Sequence, residues 1–407
     1  MSSSSSSAAK SAGPRRGRWM VIIALAAAAS LAMAPAASAA VAPTSAAPAR
    51  SSAGHPPPGI QTALDQVVAA GAPGAVALVR IGDRTYRFSS GYGNLAPLTP
   101  IRVGDRSRIG GVTKSFTATV VLQLVGQRVL RLNDTVEQWL PGVFPNGAGI
   151  TIRQLLNHTS GIYDYAQDDR VFAPYLEGDL TLIFDPREGV RIAAEHGPLF
   201  APGTGWAYSN TNYLLLAMIV EAATGNSIGT ELRQRIFRPL GLEHTSYPTS
   251  SRIPGSYTHG YWRLFGPEPT DFTALSPTLL GASGAILSNA DDLVRFYRAL
   301  LRGRLLKPDL LKAMQTIDPV ATDPPGSIDS GIPGGGWGLG LLRETFPCGD
   351  AWGHDSEIPG YTDAVWNSRD GSRQVVVAVN IDGLPHDHPI TQAMRNVLLK
   401  AYCGVTP

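Results

Sequence analysis

The segment Arg108-Ile109-Gly110-Gly111-Val112-Thr113-Lys114-Ser115-Phe116 decides how this chain is read. Two glycines run into a helical pattern that continues from Val112 to about Gly126, so Lys114 stands in the first turn of a helix, three residues from position 111 and on the same face. Two further segments belong with it: Trp206-Ala207-Tyr208-Ser209-Asn210, just ahead of a helical pattern over 210–223, and Trp352-Gly353-His354-Asp355-Ser356, followed by Glu357-Ile358-Pro359-Gly360-Tyr361. Each is weak alone. Outward from them, periodicity predicts helices at 60–70, 151–157, 228–240, 290–302 and 390–402, and strands at 75–81, 85–90, 338–344, 361–366 and 374–380. Strands near both ends of the chain with helices between predict one sheet assembled from both ends.

In this order, and with Thr151 to Gly161 (TIRQLLNHTSG) between the first two, the segments resemble the penicillin-recognising serine hydrolases: secreted DD-carboxypeptidases, class C β-lactamases and related esterases. That family carries Ser-x-x-Lys, Tyr-x-Asn and a Lys/His-Thr-Gly segment on an edge strand. The resemblance covers nearly all of 59–404. It is closest to the soluble secreted DD-carboxypeptidases, through 112–125, 151–165, 208–213 and 338–341 and through two cysteines at places matching Cys348 and Cys403. It implies an α/β, β-lactamase/DD-peptidase-like fold, with an antiparallel sheet from both chain ends flanked by helices and an all-helical insertion. The corresponding domain is 59–407, in which 59–110 and 285–407 form the α/β part and 111–284 the mainly helical part. It also implies acyl transfer, with Lys114 and Tyr208 moving protons, Asn210 positioning substrate and His354 on the strand. The backbone N–H groups of Gly111 and Glu357 would form the oxyanion hole.

The chain departs from that pattern where it matters most. Position 111, the place of the nucleophilic serine, is glycine, and loss of a nucleophile costs several powers of ten in rate. Ser107 precedes the helix, Thr113 points away, and Ser115 lies a turn deeper as a buried structural serine. The third motif reads His354-Asp355-Ser356, and the place of a carboxylate-binding arginine is Leu342, with Arg343 facing the opposite side. Leu342, Asp355, Ser356 and Glu357 are the expected substrate-binding residues, and two acids with a leucine suit a cationic or neutral ligand. Two functions stay open. One is an enzyme that works through the Lys114/Tyr208 pair without the serine, on a peptide-like or lactam-like molecule, by hydrolysis or by non-hydrolytic cyclisation or elimination. The other is an inactive homologue that binds a cell-wall peptide, an antibiotic or another small ligand.

Composition bounds the rest. Of 407 residues 43% are hydrophobic and the net charge is +2, but Lys10, Arg15, Arg16 and Arg18 lie in the first 40 residues, which hold no acid. The remainder therefore carries 30 bases against 32 acids, which gives no electrostatic case for nucleic acid. A basic patch, an apolar run from Trp19 to about Met33 and Ala37-Ser38-Ala39 form the layout of a secretory signal peptide over 1–40, with no stable membrane span once it is cleaved. Ala, Pro and Ser over 41–58 predict a linker. Export makes a Cys348–Cys403 disulfide the expectation. No cofactor and no metal are expected; His386-Asp387-His388 reads as a solvated loop, and the expected partner is a small-molecule or peptide ligand. His158 is expected to be buried and hydrogen-bonded, and Asp164, Asp168 and Asp169 to be surface or loop acids. Trp206, Trp337 and Trp352 either line a cleft or pack in the core. The oligomeric state is not legible.

Overall fold

A computed structural model describes residues 57–263, 268–321, 335–385 and 387–404. The expected signal peptide, the linker up to residue 56 and His386 lie outside the described residues. The elements that position the site are, in chain order, helix α1 (Ile60–Ala69), strands β1 (Gly74–Ile81), β2 (Arg84–Leu95) and β3 (Leu98–Pro100), and helices α2 (Thr113–Gly126), α3 (Asn210–Thr224) and α4 (Ala290–Leu301). Strands β4 (Gly336–Trp337), β5 (Leu342–Phe346), β6 (Gly349–Ile358), β7 (Tyr361–Asn367) and β8 (Arg373–Val379) follow, and helix α5 (Pro389–Cys403) ends the fold.

The eight strands form one sheet in the order β3-β2-β1-β8-β7-β6-β5-β4, with antiparallel pairing at every step. The first and last thirds of the chain meet where β1 pairs with β8, Ala75 opposite Val379 and Val79 opposite Val375. These two strands read as continuous apolar runs because both faces of the sheet are covered, and the two-residue period of a strand deals alternate side chains to two cores. Ala75, Ala77, Val79, Val375, Val377 and Val379 pack with Leu64 and Val67 of α1 and Val397 and Ala401 of α5. Val76, Leu78, Val365 and Val376 pack on the other face, in the core that holds Phe116 of α2, Leu214 of α3 and Phe296 of α4.

Between β3 and β4 the chain is mainly helical, with Val136–Trp139, Ile152–Leu156, Asp169–Leu176 and Pro186–Glu195 preceding α3. Short two-residue ladders, such as Tyr261–Trp262 with Thr270–Asp271, interrupt it. Two strand expectations need correction. The predicted strand over 338–344 starts too early: Leu342 to Glu344 belong to β5, but Gly338–Leu341 is a turn between β4 and β5, where Gly340 has φ +77°. The strand carrying His354 is not at an edge: β6 is flanked by β7 and β5. The expected Cys348–Cys403 pair is joined, Cα to Cα 5.5 Å, tying the turn between β5 and β6 to the end of α5.

Candidate active site

The site forms where the start of α2, the start of α3 and strand β6 converge. A short 3-10 turn, Gly110–Val112, leads into α2 and puts Lys114 in the first turn of the helix. Lys114 is completely buried. Its Nζ donates to Asn210 Oδ1 at 2.8 Å and to the Ser283 carbonyl at 2.9 Å, and lies 4.7 Å from the centre of the Tyr208 ring. Desolvation drives the ammonium pKa down to about 7, with Asp164 opposing the shift.

Asn210, the first residue of α3, works in both directions. Its Oδ1 accepts from Lys114, and its Nδ2 donates to Asp164 Oδ2 at 2.9 Å. Asp164 lies in a loop, as the sequence leads one to expect, but not at the surface: it is 5% exposed, and burial lifts its carboxyl to about 6 against the opposing pull of the Ala166 N–H and Lys114. The signal in the sequence is its setting, an acid directly after Gly161-Ile162-Tyr163 and before Tyr165 in the segment leading from His158. A three-member chain Lys114–Asn210–Asp164 therefore links two titratable groups whose burial brings both toward neutrality.

An aromatic wall stands beside the lysine. His158 is buried with φ +62°, and its Nδ1 accepts the Ser209 N–H at 3.1 Å, as a structural histidine would. It stacks on Tyr208 at 4.6 Å and meets Trp337 edge-on at 4.8 Å, while Trp206 lies 6.0 Å from Trp337. Burial, with Lys114 and His354 adding to it, depresses His158 well below its ordinary value, so it is neutral with its proton on Nε2. Among the described residues His158 Nε2, Trp206 Nε1 and Trp337 Nε1 have no hydrogen-bond partner. Trp206 and Trp337 thus stand beside the site while packing with the α1/α5 core, and Trp352 packs in the core on the other face. Burial raises the Tyr208 phenol well above its usual range, with Asp164 contributing, and keeps it protonated.

Strand β6 forms the far wall. His354 is 2% exposed; its Nδ1 donates to the Asp355 carbonyl, which leaves Nε2 as a lone pair, also without a partner among the described residues. Burial, reinforced by Lys114, lowers its pKa to about 3. The imidazole covers the gap at position 111: a Cβ built on Gly111 would stand 3.0 Å from His354 Cε1 and 3.2 Å from the Asp355 carbonyl oxygen. The Gly111 N–H donates to Ser356 Oγ at 2.8 Å.

Three expected substrate-binding residues do not reach this site with their side chains. Strand alternation turns Asp355 and Glu357 to the other face of β6, where they line a cavity with Trp366, Ile390, Met394 and Leu398 against α5. Leu342, opposite Gly353, is fully buried in the α1/α5 core. The case for a cationic ligand loses Glu357 and Leu342; Asp355 bears on the site only from behind, its Oδ1 3.9 Å from His354 Nδ1. Other hydroxyls stay structural: Ser115 Oγ donates to the Gly340 carbonyl at 2.8 Å, and Thr113 Oγ1 accepts the Ile286 N–H at 3.2 Å.

The Beta-lactamase family model matches residues 60–399. The chain is 37% identical to a D-stereospecific amidohydrolase from Streptomyces sp., with a TM-score of 0.74 over 85% of this chain and 98% of that one. It is 28% identical to the D-amino acid amidase of Ochrobactrum anthropi SV3 in complex with L-phenylalanine amide, with a TM-score of 0.73 over 84% of this chain and 97% of the other. Among curated relatives, penicillin-binding protein 4* of Bacillus subtilis is 28% identical over 80% of this chain and 72% of its own length.

Proposed function

The chain belongs to the Beta-lactamase family, and from that membership we propose that it acts on a small amide- or peptide-like molecule by acid–base chemistry at Lys114, Tyr208 and Asn210, without an acyl-serine intermediate. The observation that carries this reading is the buried Lys114–Asn210–Asp164 chain. A lysine brought to about 7 is half deprotonated at neutral pH, and its lone pair then accepts a proton from water or from an acidic carbon or nitrogen of the substrate. The protonated Tyr208 phenol beside it is the donor that returns a proton to the leaving atom. Unpartnered N–H groups of His158, Trp206 and Trp337 favour a ligand rich in hydrogen-bond acceptors, which agrees with an amide substrate class of the kind named for the D-amino acid amidase. With glycine at 111, water takes the part of the nucleophile in hydrolysis; elimination and cyclisation require none.

The test is turnover of D-amino-acid amides, D-amino-acid peptides, esters and lactams by the purified protein, followed by mass spectrometry. Activity should rise with pH through about 7 as Lys114 loses its proton, and Lys114→Met should remove it. Turnover by Lys114→Met at the wild-type rate would sink the proposal.

A second reading, binding without turnover, is favoured by one feature: Lys114 is completely buried and His354 and Ser356 are each 2% exposed, so the reactive atoms are covered. Saturable binding of the same amides, with no product formed, would decide for it. Export is also part of the proposal. The mature N-terminus of the secreted protein should fall just after Ala37-Ser38-Ala39, which N-terminal sequencing checks.

A further inference from the structure

The Gly111 N–H lies at the N-terminal start of α2, beside Lys114, where backbone donors and the helix dipole favour negative charge. It is one of the two N–H groups, with that of Glu357, that the family resemblance assigns to a developing oxyanion, and it already donates to Ser356 Oγ at 2.8 Å. The fit around that hydroxyl is specific. Gly110 has φ +42°, and a Cβ there would stand 2.0 Å from Ser356 Oγ and 2.7 Å from Ile358 Cγ2, so the serine on the strand requires glycine on the turn. At position 111 a Cβ meets His354 Cε1 at 3.0 Å, the Asp355 carbonyl oxygen at 3.2 Å and His354 Nδ1 at 3.5 Å, tight contacts that a small shift of the imidazole relieves. The hydroxyl missing from the helix is thus matched by a hydroxyl on the facing strand, in a motif whose family pattern ends in glycine.

We propose that Ser356 is a specificity-determining residue whose hydroxyl stands in the place of a substrate carbonyl oxygen, so that Gly111 and Ser356 together close the acyl-transfer route. The inference rests on the reading that this site takes amide-like small molecules, and it deepens it: ligands engage Lys114 and Asn210 without placing an oxyanion on the Gly111 N–H. A carbonyl oxygen would have to displace a buried hydroxyl fixed to β6, and one N–H serves one good acceptor. Restoring the helix hydroxyl alone therefore does not restore acylation.

Labelling by a fluorescent penicillin, in wild type, Gly111→Ser, Ser356→Gly and the double variant, tests this. In the double variant the introduced hydroxyl oxygen adds to the lactam carbonyl carbon and the ring C–N bond breaks. The hydroxyl proton passes through Lys114 to the ring nitrogen. Labelling should be on the order of a hundredfold faster in the double variant than in Gly111→Ser, the scale of an oxyanion-hole donor lost or gained. Wild type and Ser356→Gly should stay unlabelled. Equal labelling of Gly111→Ser and the double variant, or no labelling of either, would overturn the proposal. Ser356→Ala supplies a readout free of acylation: amide hydrogen exchange at Gly111 should speed up at least about tenfold once its acceptor is gone, and an unchanged rate would equally overturn it. Neither readout depends on turnover of amides by the wild type, so failure here and failure of the functional reading are separable.

Discussion

At the scale of single residues, the site is a problem of buried charge. Lys114 falls from its ordinary 10.5 to about 7 on folding, so between those values the unfolded chain binds more protons than the folded one, and stability rises with pH across that window. Asp164 rises from 3.8 to about 6, so there the folded chain binds more protons, and stability falls as pH climbs through the window. Lys114→Met should therefore stabilise the protein below pH 7 and flatten the alkaline rise, while Asp164→Asn should flatten the acid-side fall. Urea midpoints at pH 5, 7 and 9 measure both, and a Lys114→Met variant less stable than wild type at pH 5 would refute the buried-cation account. Lys114, Tyr208, Asn210 and His354 are legible in the sequence through the resemblance, because each sits in a short local motif that the family pattern shares. The sequence conceals Asp164 and Ser283, which reach Lys114 through Asn210 and through a backbone carbonyl, contacts that exist only after folding.

Among elements, those whose burial follows a simple period are the ones a reader can find. β1 and β8 announce themselves as apolar runs, and α4 as an amphipathic helix capped by Asn289. β6 does not, because Gly349-Asp350-Ala351-Trp352-Gly353-His354-Asp355 mixes polar residues onto both faces, and pairing with β5 and β7 overrides its weak strand preference. That concealed strand is also why Asp355 and Glu357 are misplaced by a reading that lacks its register. A shorter element holds the aromatic wall in place. In Ile152–Leu156, Thr151 Oγ1 accepts the Gln154 N–H at 3.3 Å and Gln154 Oε1 accepts the Thr151 N–H at 2.8 Å, a reciprocal cap whose helix ends just before His158. Thr151→Ala should cost about 1 kcal/mol by chemical denaturation. It should also weaken the packing of His158 on Tyr208, seen as a shifted near-ultraviolet dichroism signal from the aromatic cluster.

For the molecule as a whole, closure of the sheet by both ends of the chain leaves α5 as the last piece to be held, and it is held at several points. The disulfide joins Cys403, its final residue, to Cys348 in the β5–β6 turn. Tyr402 packs on Phe346 at 4.8 Å and donates from its hydroxyl to the Asp350 carbonyl at 3.0 Å. Arg373 of β8 donates to the Tyr402 carbonyl. With the cysteines 55 positions apart in sequence, the cross-link removes chain entropy from the unfolded state worth about 4 kcal/mol. The contacts made by Tyr402 remain when the bond is gone, so the Cys348→Ser, Cys403→Ser double variant should keep its fold and lose stability by that amount. The acid–base groups should be untouched, because Lys114 and Asn210 stand on α2 and α3, whose Phe116 and Leu214 fill the core on the opposite face of the sheet from α5; only the aromatic wall of Trp206, Tyr208 and Trp337 packs with the α5 side. The check is a denaturant midpoint for the oxidised protein and the double variant, alongside ligand binding or turnover in both. A large fall in midpoint with unchanged function is the expected pair of results. Loss of function in a variant that still unfolds cooperatively would mean that α5 carries strain through β6 into the site.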